Sequence, residues 1–292
     1  MSSSKSGTPR RFPLPLDQVR GAPARGESRP ELHRPQRTVH GAAADAARQR
    51  PPAGLGLDSA AVRRHMVERL RGLGVTDERV LAAFAVVERH RFVDSALVNQ
   101  AYEDTSLPIG FGQTISKPSV VGQMLQALLQ DFPASRTAEP ASRTSPRTGT
   151  GQGAGVVLRR VLEIGTGCGY QAALLACLAR HVVSIERVGA LADKARTNLA
   201  AAGVRNVQVL HADGRLGAPG LGPFDAIVSA AGGDELPEAW TAQLAIGGRL
   251  VAPGAELRPG AQALMIVERH PSVITRRIAG EVYFVPLKSG AE

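Results

Sequence analysis

The stretch VLEIGTGCGYQAALLA, residues 161–176, decides the fold. VLEI closes an apolar run, VVLRRVLEI, that reads as a buried strand, and GYQAALLACLA reads as a helix. Between them stand Gly165, Gly167 and Gly169. Glycines there let the chain turn sharply and bring its backbone against a ligand with no Cβ in the way. Outward from this point the texture repeats. HVVSIE (181–186) is a strand and GALADKARTNLAAAG (189–203) a helix. VQVLHA, FDAIVSA and GGRLVAP are further strands, with a helix near 237–245. The alternation implies an α/β domain whose mostly parallel sheet is covered by helices on both faces. ALMIVE (263–268) and EVYFVPL (281–287) follow without a helix between them, so seven strands are expected, the last two antiparallel. Glu186 ends the second strand, 21 positions after Gly165, where a carboxylate can accept both hydroxyls of a ribose.

The glycine spacing is Gly-x-Gly-x-Gly. Dinucleotide enzymes use Gly-x-Gly-x-x-Gly and seat a pyrophosphate at the helix N-terminus. The tighter spacing, preceded by Glu163, resembles the first motif of the class I S-adenosylmethionine methyltransferases, which have a Rossmann-like fold. The resemblance implies that the amino-acid end of that cofactor lies on the loop formed by Gly165, Thr166, Gly167 and Gly169. HADG (211–214) follows the third strand, and Asp213, next to Gly214, can accept from the adenine amino group where that family places an acid. Singly, each feature has an ordinary reading: a turn at the glycines, a solvated strand end at Glu186, a turn at Asp213-Gly214. Together, at the ends of successive strands, they match the crevice of a topological switch point. Cys168 within the loop reads as packing, because methyl transfer from a sulfonium needs no thiol.

Composition bounds the rest. The chain has 292 residues and is 43% hydrophobic, enough for a sizeable core. No apolar run approaches bilayer-spanning length, and the N-terminus lacks the apolar stretch of a secretory signal. Its prolines argue against the amphipathic helix of an organelle transit peptide. The two cysteines, Cys168 and Cys177, form neither a disulfide framework nor a metal pattern, which fits a reducing, cytoplasmic setting. The formal charge of +9 could suggest nucleic acid, but residues 1–57 alone hold ten Lys and Arg against four acids. The excess therefore sits mostly in a Pro-, Arg- and Ala-rich tail that cannot bury enough surface to order, and a nucleic-acid partner is not expected. A second stretch of this kind, 133–155, reads as a surface insertion.

Residues 58–130 form a helical part ahead of the sheet-forming part, 157–292. Asp58 or Ser59 can cap a helix with Val62, Met66, Leu70 and Leu73 on one face. Thr76 starts another, with Val80, Leu81, Phe84 and Val87 inward. GFGQTISKP (110–118) then precedes a third. Pro118 suits the first helical position and pushes Lys117 out of helical geometry. Val120, Val121, Met124, Leu125, Leu128 and Leu129 supply the buried stripe. Thr114 and Ser116 thus stand by a helix N-terminus, where unpaired N–H groups favour an anion such as a small carboxylate. The plain alternative is that Ser116 only assists the cap.

The stretch RFVDSALVNQAYEDTSLPIGFGQTISKPSVVGQMLQAL resembles the N-terminal signature of protein-L-isoaspartate O-methyltransferases. VLEIGTGCGYQAALLA, HADGRLG, PFDAIVSAA, GGRLVAPGA and VYFVPL match the same family in order, over roughly 58–130 and 157–288. The resemblance implies methyl transfer from S-adenosyl-L-methionine to the free α-carboxylate of L-isoaspartyl residues in damaged proteins, which starts their repair. It makes Ser116 the active-site residue, with Thr114 beside it, and gives Val285 and Pro286 to the substrate peptide. A carboxylate with a pKa near ~3.9 is already ionised at neutral pH and needs no general base, so Ser116 is assigned to positioning. No metal is expected, and a monomer is. Competing readings are a class I methyltransferase acting on a small molecule or RNA, and a binding protein that has lost catalysis.

The chain departs from the family's pattern at the 133–155 insertion and at GGDEL before Pro237, one residue longer than expected. Lys117 reads as solvated. His65, His90, His181, His211 and His270 show no ligand spacing, and Trp240 reads as core.

Overall fold

The computed structural model describes residues 60–130, 132, 158–233 and 235–292. The 1–57 tail, the cap at Asp58 or Ser59 and the 133–155 insertion lie outside the described residues. Helix α1 spans Ala60–Gly72 and α2 Glu78–Val86. A short hairpin follows, β1 (Leu107–Gly110) with β2 (Gln113–Ile115), then α3 (Pro118–Leu129). The main sheet begins at β3 (Leu158–Ile164) and continues through α4 (Tyr170–Leu178), β4 (Ala179–Glu186), α5 (Gly189–Ala201) and β5 (Val207–His211). After it come β6 (Phe224–Ser229), α6 (Glu238–Gln243), β7 (Leu244–Arg258), β8 (Ala261–Arg269) and β9 (Ile274–Val282).

The seven strands lie in the order β5-β4-β3-β6-β7-β8-β9. The first five run parallel, and β8 and β9 are added antiparallel. The chain order reverses at β3, between β4 and β6, so the loops after these strands open a crevice there. Alternation along β3 divides its side chains between two cores. Val161 packs with α1 to α4, whereas Leu162 and Ile164 pack with Phe224, Ile227 and Trp240 on the other face. Trp240 is core, its indole N–H donating to the Gly214 carbonyl at 2.8 Å.

Local expectations hold with three corrections. In α1 the inward residues are Met66, Val67 and Leu70, while Leu73 is 46% exposed beyond the helix end. Thr76 does not cap α2; the Asp77 carboxylate does, accepting from the N–H groups of Arg79 and Val80. The last strand is ITRRIAGEV, not EVYFVPL. All of β9 except Val282 is exposed at the sheet edge, so it has no apolar run to announce it. The apolar segment after it is held by the loop following β6 instead. Gly232 N–H donates to Val285 O at 3.0 Å, and Leu287 N–H donates to Gly232 O at 2.6 Å. Pro286 between them has no N–H to give a ladder.

Candidate active site

The glycine loop is pinned where the strands fan apart. Gly165 N–H donates to Ile185 O at 2.8 Å, and Ala230 N–H donates to Ile164 O at 2.8 Å, tying the ends of β4, β3 and β6 together. Gly165, Gly167 and Gly169 hold φ of 87°, 55° and 92°, a region that side chains rarely adopt. At Gly167 space is short as well, since a Cβ would stand 3.1 Å from Ile109 Cδ1 of the hairpin.

Glu186 is 6% exposed at the end of β4. One carboxylate oxygen accepts from Gly167 N–H at 2.8 Å and the other from Val188 N–H at 3.0 Å. The side chain therefore locks the loop and also lines the cleft, where each oxygen keeps a lone pair for a hydroxyl. Behind the loop lies Glu163, fully buried and accepting from the Ser184 hydroxyl, which also bonds Thr166 Oγ1 at 2.6 Å. Burial pushes its carboxyl up to about 8, and the nearby Glu186 adds to the rise. Cys168 is buried too, and burial raises its thiol pKa, as suits a packing residue.

The cleft has a volume of about 660 Å³ including its open mouth. Its walls include Gln113, Thr114, Gly165, Gly167, Glu186, Gly214, Val285 and Pro286. A neighbouring recess of about 320 Å³, its open mouth included, shares Thr114, Gly165 and Gly167 with it and adds Ser116, Thr166 and Gln171. The predicted substrate and cofactor residues thus line two adjoining hollows that share walls, with two exceptions. Gly169 faces Leu199 and Ala195 of α5 and serves the turn. Asp213 lies outside the lining: its oxygens accept from Arg215 N–H at 2.9 Å and Gly290 N–H at 2.7 Å, so it ties the C-terminal segment to the turn after β5.

Ser116 does not cap α3. Asp104, from the preceding loop, accepts from Ser119 N–H at 2.8 Å and from Ser119 Oγ at 2.7 Å. The chain's own carboxylate therefore already meets the helix N-terminus, and the Ser116 hydroxyl is left to the recess. Lys117 is exposed, as expected of a solvated lysine.

Arg89 escaped sequence reasoning. It is one of several arginines in ERHRF, and nothing in that run marks it for burial. It is fully buried, with Cζ 4.9 Å over the Tyr170 ring. One Nη donates to Ser116 O at 2.8 Å and to Thr105 O at 3.3 Å, while its other guanidinium nitrogens find no partner among the described residues. Burial lowers its pKa. Arg89 holds the Ser116 backbone from behind, with Tyr170 and the Asp104 carboxylate acting on its charge.

Comparison with known proteins gives the family. A model of the protein-L-isoaspartate(D-aspartate) O-methyltransferase family matches residues 61–138 and 156–292. A protein-L-isoaspartate O-methyltransferase from Methylibium petroleiphilum is 50% identical over 100% of both chains. Its namesake from Leptothrix cholodnii is 48% identical over 99% of this chain and 98% of its own. Among solved structures, a protein-L-isoaspartate O-methyltransferase superposes with a TM-score of 0.63 at 25% identity, covering 78% of this chain and 66% of that one. A Plasmodium falciparum structure assigned to the same activity, in complex with S-adenosyl-L-homocysteine, gives a TM-score of 0.62 at 23% identity over 77% of this chain and 98% of its own, a likeness of fold. With a family match across both halves of the domain and relatives near half identity over its whole length, the chain belongs to the protein-L-isoaspartate(D-aspartate) O-methyltransferase family.

Proposed function

We propose that the chain transfers a methyl group from S-adenosyl-L-methionine to the free α-carboxylate of L-isoaspartyl residues, initiating repair of damaged proteins. One observation carries the reading. The Thr114–Ser116 segment and the glycine loop line the same recess, which shares walls with the cleft that Glu186, Val285 and Pro286 line.

The residues fit the donor. Gly165 and Gly167 leave a side-chain-free floor, Glu186 offers acceptor oxygens to a diol, and Gly214 closes the far wall. When bound, S-adenosyl-L-methionine supplies an electrophilic methyl carbon on a sulfonium. The chain's own part is orientation. Ser116 presents its hydroxyl to the acceptor carboxylate, held by the Arg89 bond to its carbonyl. Val285 and Pro286, anchored to Gly232 on both sides, border the path of the peptide. Alignment of two bound reactants supplies up to roughly 7–11 kcal/mol of barrier lowering. The acceptor arrives ionised, so the chain has no proton to remove.

The reading places the protein in the cytoplasm; among the described residues no helix is long and apolar enough to cross a membrane. Labelled S-adenosyl-L-methionine offered with paired aspartyl and isoaspartyl peptides tests the activity. Label is expected in the isoaspartyl member only, as a base-labile ester. Label in a small molecule or RNA, with none in the peptide, would replace this reading with another methyltransferase activity.

A further inference from the structure

Residues 288–292, which follow the cleft wall of Val285, Pro286 and Leu287, lie across the loops after β4 and β5. Main-chain bonds hold them there. Glu292 N–H donates to Arg187 O at 2.6 Å, and Gly189 N–H donates to Glu292 O at 2.8 Å. Gly290 N–H donates to Asp213 Oδ2 at 2.7 Å. Arg187 answers with its side chain, Nε donating to Gly290 O at 3.3 Å and Nη2 to Glu292 Oε1 at 2.6 Å. His211 Nε2 stands 2.9 Å from Glu292 O and 3.1 Å from Arg187 O. Both partners are acceptors, so that nitrogen carries the hydrogen.

These contacts add nothing to a core, because all five residues are exposed. A segment held by polar bonds alone opens locally at little cost to the rest of the fold. Its anchors all border the cleft. Arg187, Val188 and Lys288 line it, and Asp213 precedes Gly214, which lines it as well. The segment thus joins the wall given to the peptide to the end marked by Glu186. A donor whose diol meets Glu186 enters and leaves past the two loops that the segment joins. We infer that residues 288–292 are a strap that retains the methyl donor and its demethylated product, and that Arg187 is the positioning residue that latches it. The inference rests on the cofactor reading above and adds to it the element that sets how fast the site exchanges its ligand.

The experiment measures release of radiolabelled S-adenosyl-L-homocysteine (the homocysteine probe) from the full chain, chased with unlabelled ligand. Gly290 holds a φ of 78°, which proline does not reach, and Gly290→Pro also removes the N–H given to Asp213. Arg187→Met breaks the latch from the other side. Each variant should release the probe about tenfold faster, the effect of losing one or two such bonds. The double variant should release it no faster than either single one, since both open the same strap. Arg187→Lys, which keeps the charge facing Glu292, should restore slow release in part. In the parent, amide hydrogen exchange across 288–292 should slow when the probe binds. Unchanged release, or exchange indifferent to the probe, would overturn the inference. Slower release or tighter binding in Gly290→Pro would overturn it too, by showing that the strap competes with the ligand for Asp213. Additive effects in the double variant would give Arg187 a direct contact with the ligand instead of a latch. The exchange measurement needs no variant and stands should a substitution fold poorly. A parent that fails to bind the probe sinks the cofactor reading and this inference with it, whereas a parent that binds while its variants release no faster sinks the strap alone.

Discussion

At the scale of single residues, the site divides its work between groups that face the hollow and groups that hold them. Ser116 faces the recess, so Ser116→Ala should cut methyl transfer by about 10- to 100-fold, the worth of a hydrogen bond to a charged group. Affinity for S-adenosyl-L-homocysteine should change little, and equal losses in turnover and calorimetry would deny that division. Arg89 acts from behind. Arg89→Met removes the donor to the Ser116 carbonyl and should lower kcat/KM for the peptide while sparing homocysteine-probe binding. Arg89→Lys keeps a charge but not the planar fork, so it should restore activity only in part. A uniform loss of donor and peptide binding in both variants would mean that Arg89 merely supports the fold. Glu186 does both jobs at once, bonding Gly167 N–H while lining the cleft.

At the scale of elements, the site depends on how loops enter helices. The N-terminus of α3 is met by Asp104 from a loop 15 residues upstream, through two bonds to Ser119. Asp104→Ala should lower stability by ~1 kcal/mol, the usual worth of such a cap, and a chemical denaturation midpoint checks it. The glycine loop is less forgiving. Gly167→Ala forces a side chain into a φ of 55° and against Ile109, so homocysteine-probe affinity should drop sharply. Unchanged affinity would show that the β1–β2 hairpin yields freely. Asp213 belongs at this scale too, as the group that joins the turn after β5 to Gly290.

At the scale of the whole molecule, Glu163 couples the sheet to pH. Its folded pKa, about 8, lies above the ordinary 4.5 because burial disfavours the carboxylate. The folded state therefore holds a proton that the unfolded state releases. This contribution is full below about pH 4.5 and is lost as pH rises through about 8. Glu163→Gln should flatten the fall of the melting temperature across that window, and a slope identical to the parent's would show that Glu163 is ionised in the fold.

Much of this was legible before any coordinates. The glycine loop, Glu186 and the alternation of strand and helix are written in local patterns: φ-permissive residues at a turn, and apolar runs with a helical or extended period. The α3 stripe, Pro118 at its start and the core position of Trp240 follow from the same rules. The last strand was not legible, because β9 is exposed at an edge and has no apolar pattern, while Val285, Pro286 and Leu287 beyond it serve the cleft wall. Nor were Arg89, Asp104 and Gln171, whose neighbours in the chain are not their neighbours in space. Amino-acid order alone settled the alternation of strand and helix and the glycine turn that ends β3, since both rest on backbone geometry and short-range periodicity. Tertiary packing alone settled which polar groups are buried, which are satisfied and which are left facing the recess, because desolvation and hydrogen-bond pairing depend on residues brought together from distant parts of the chain.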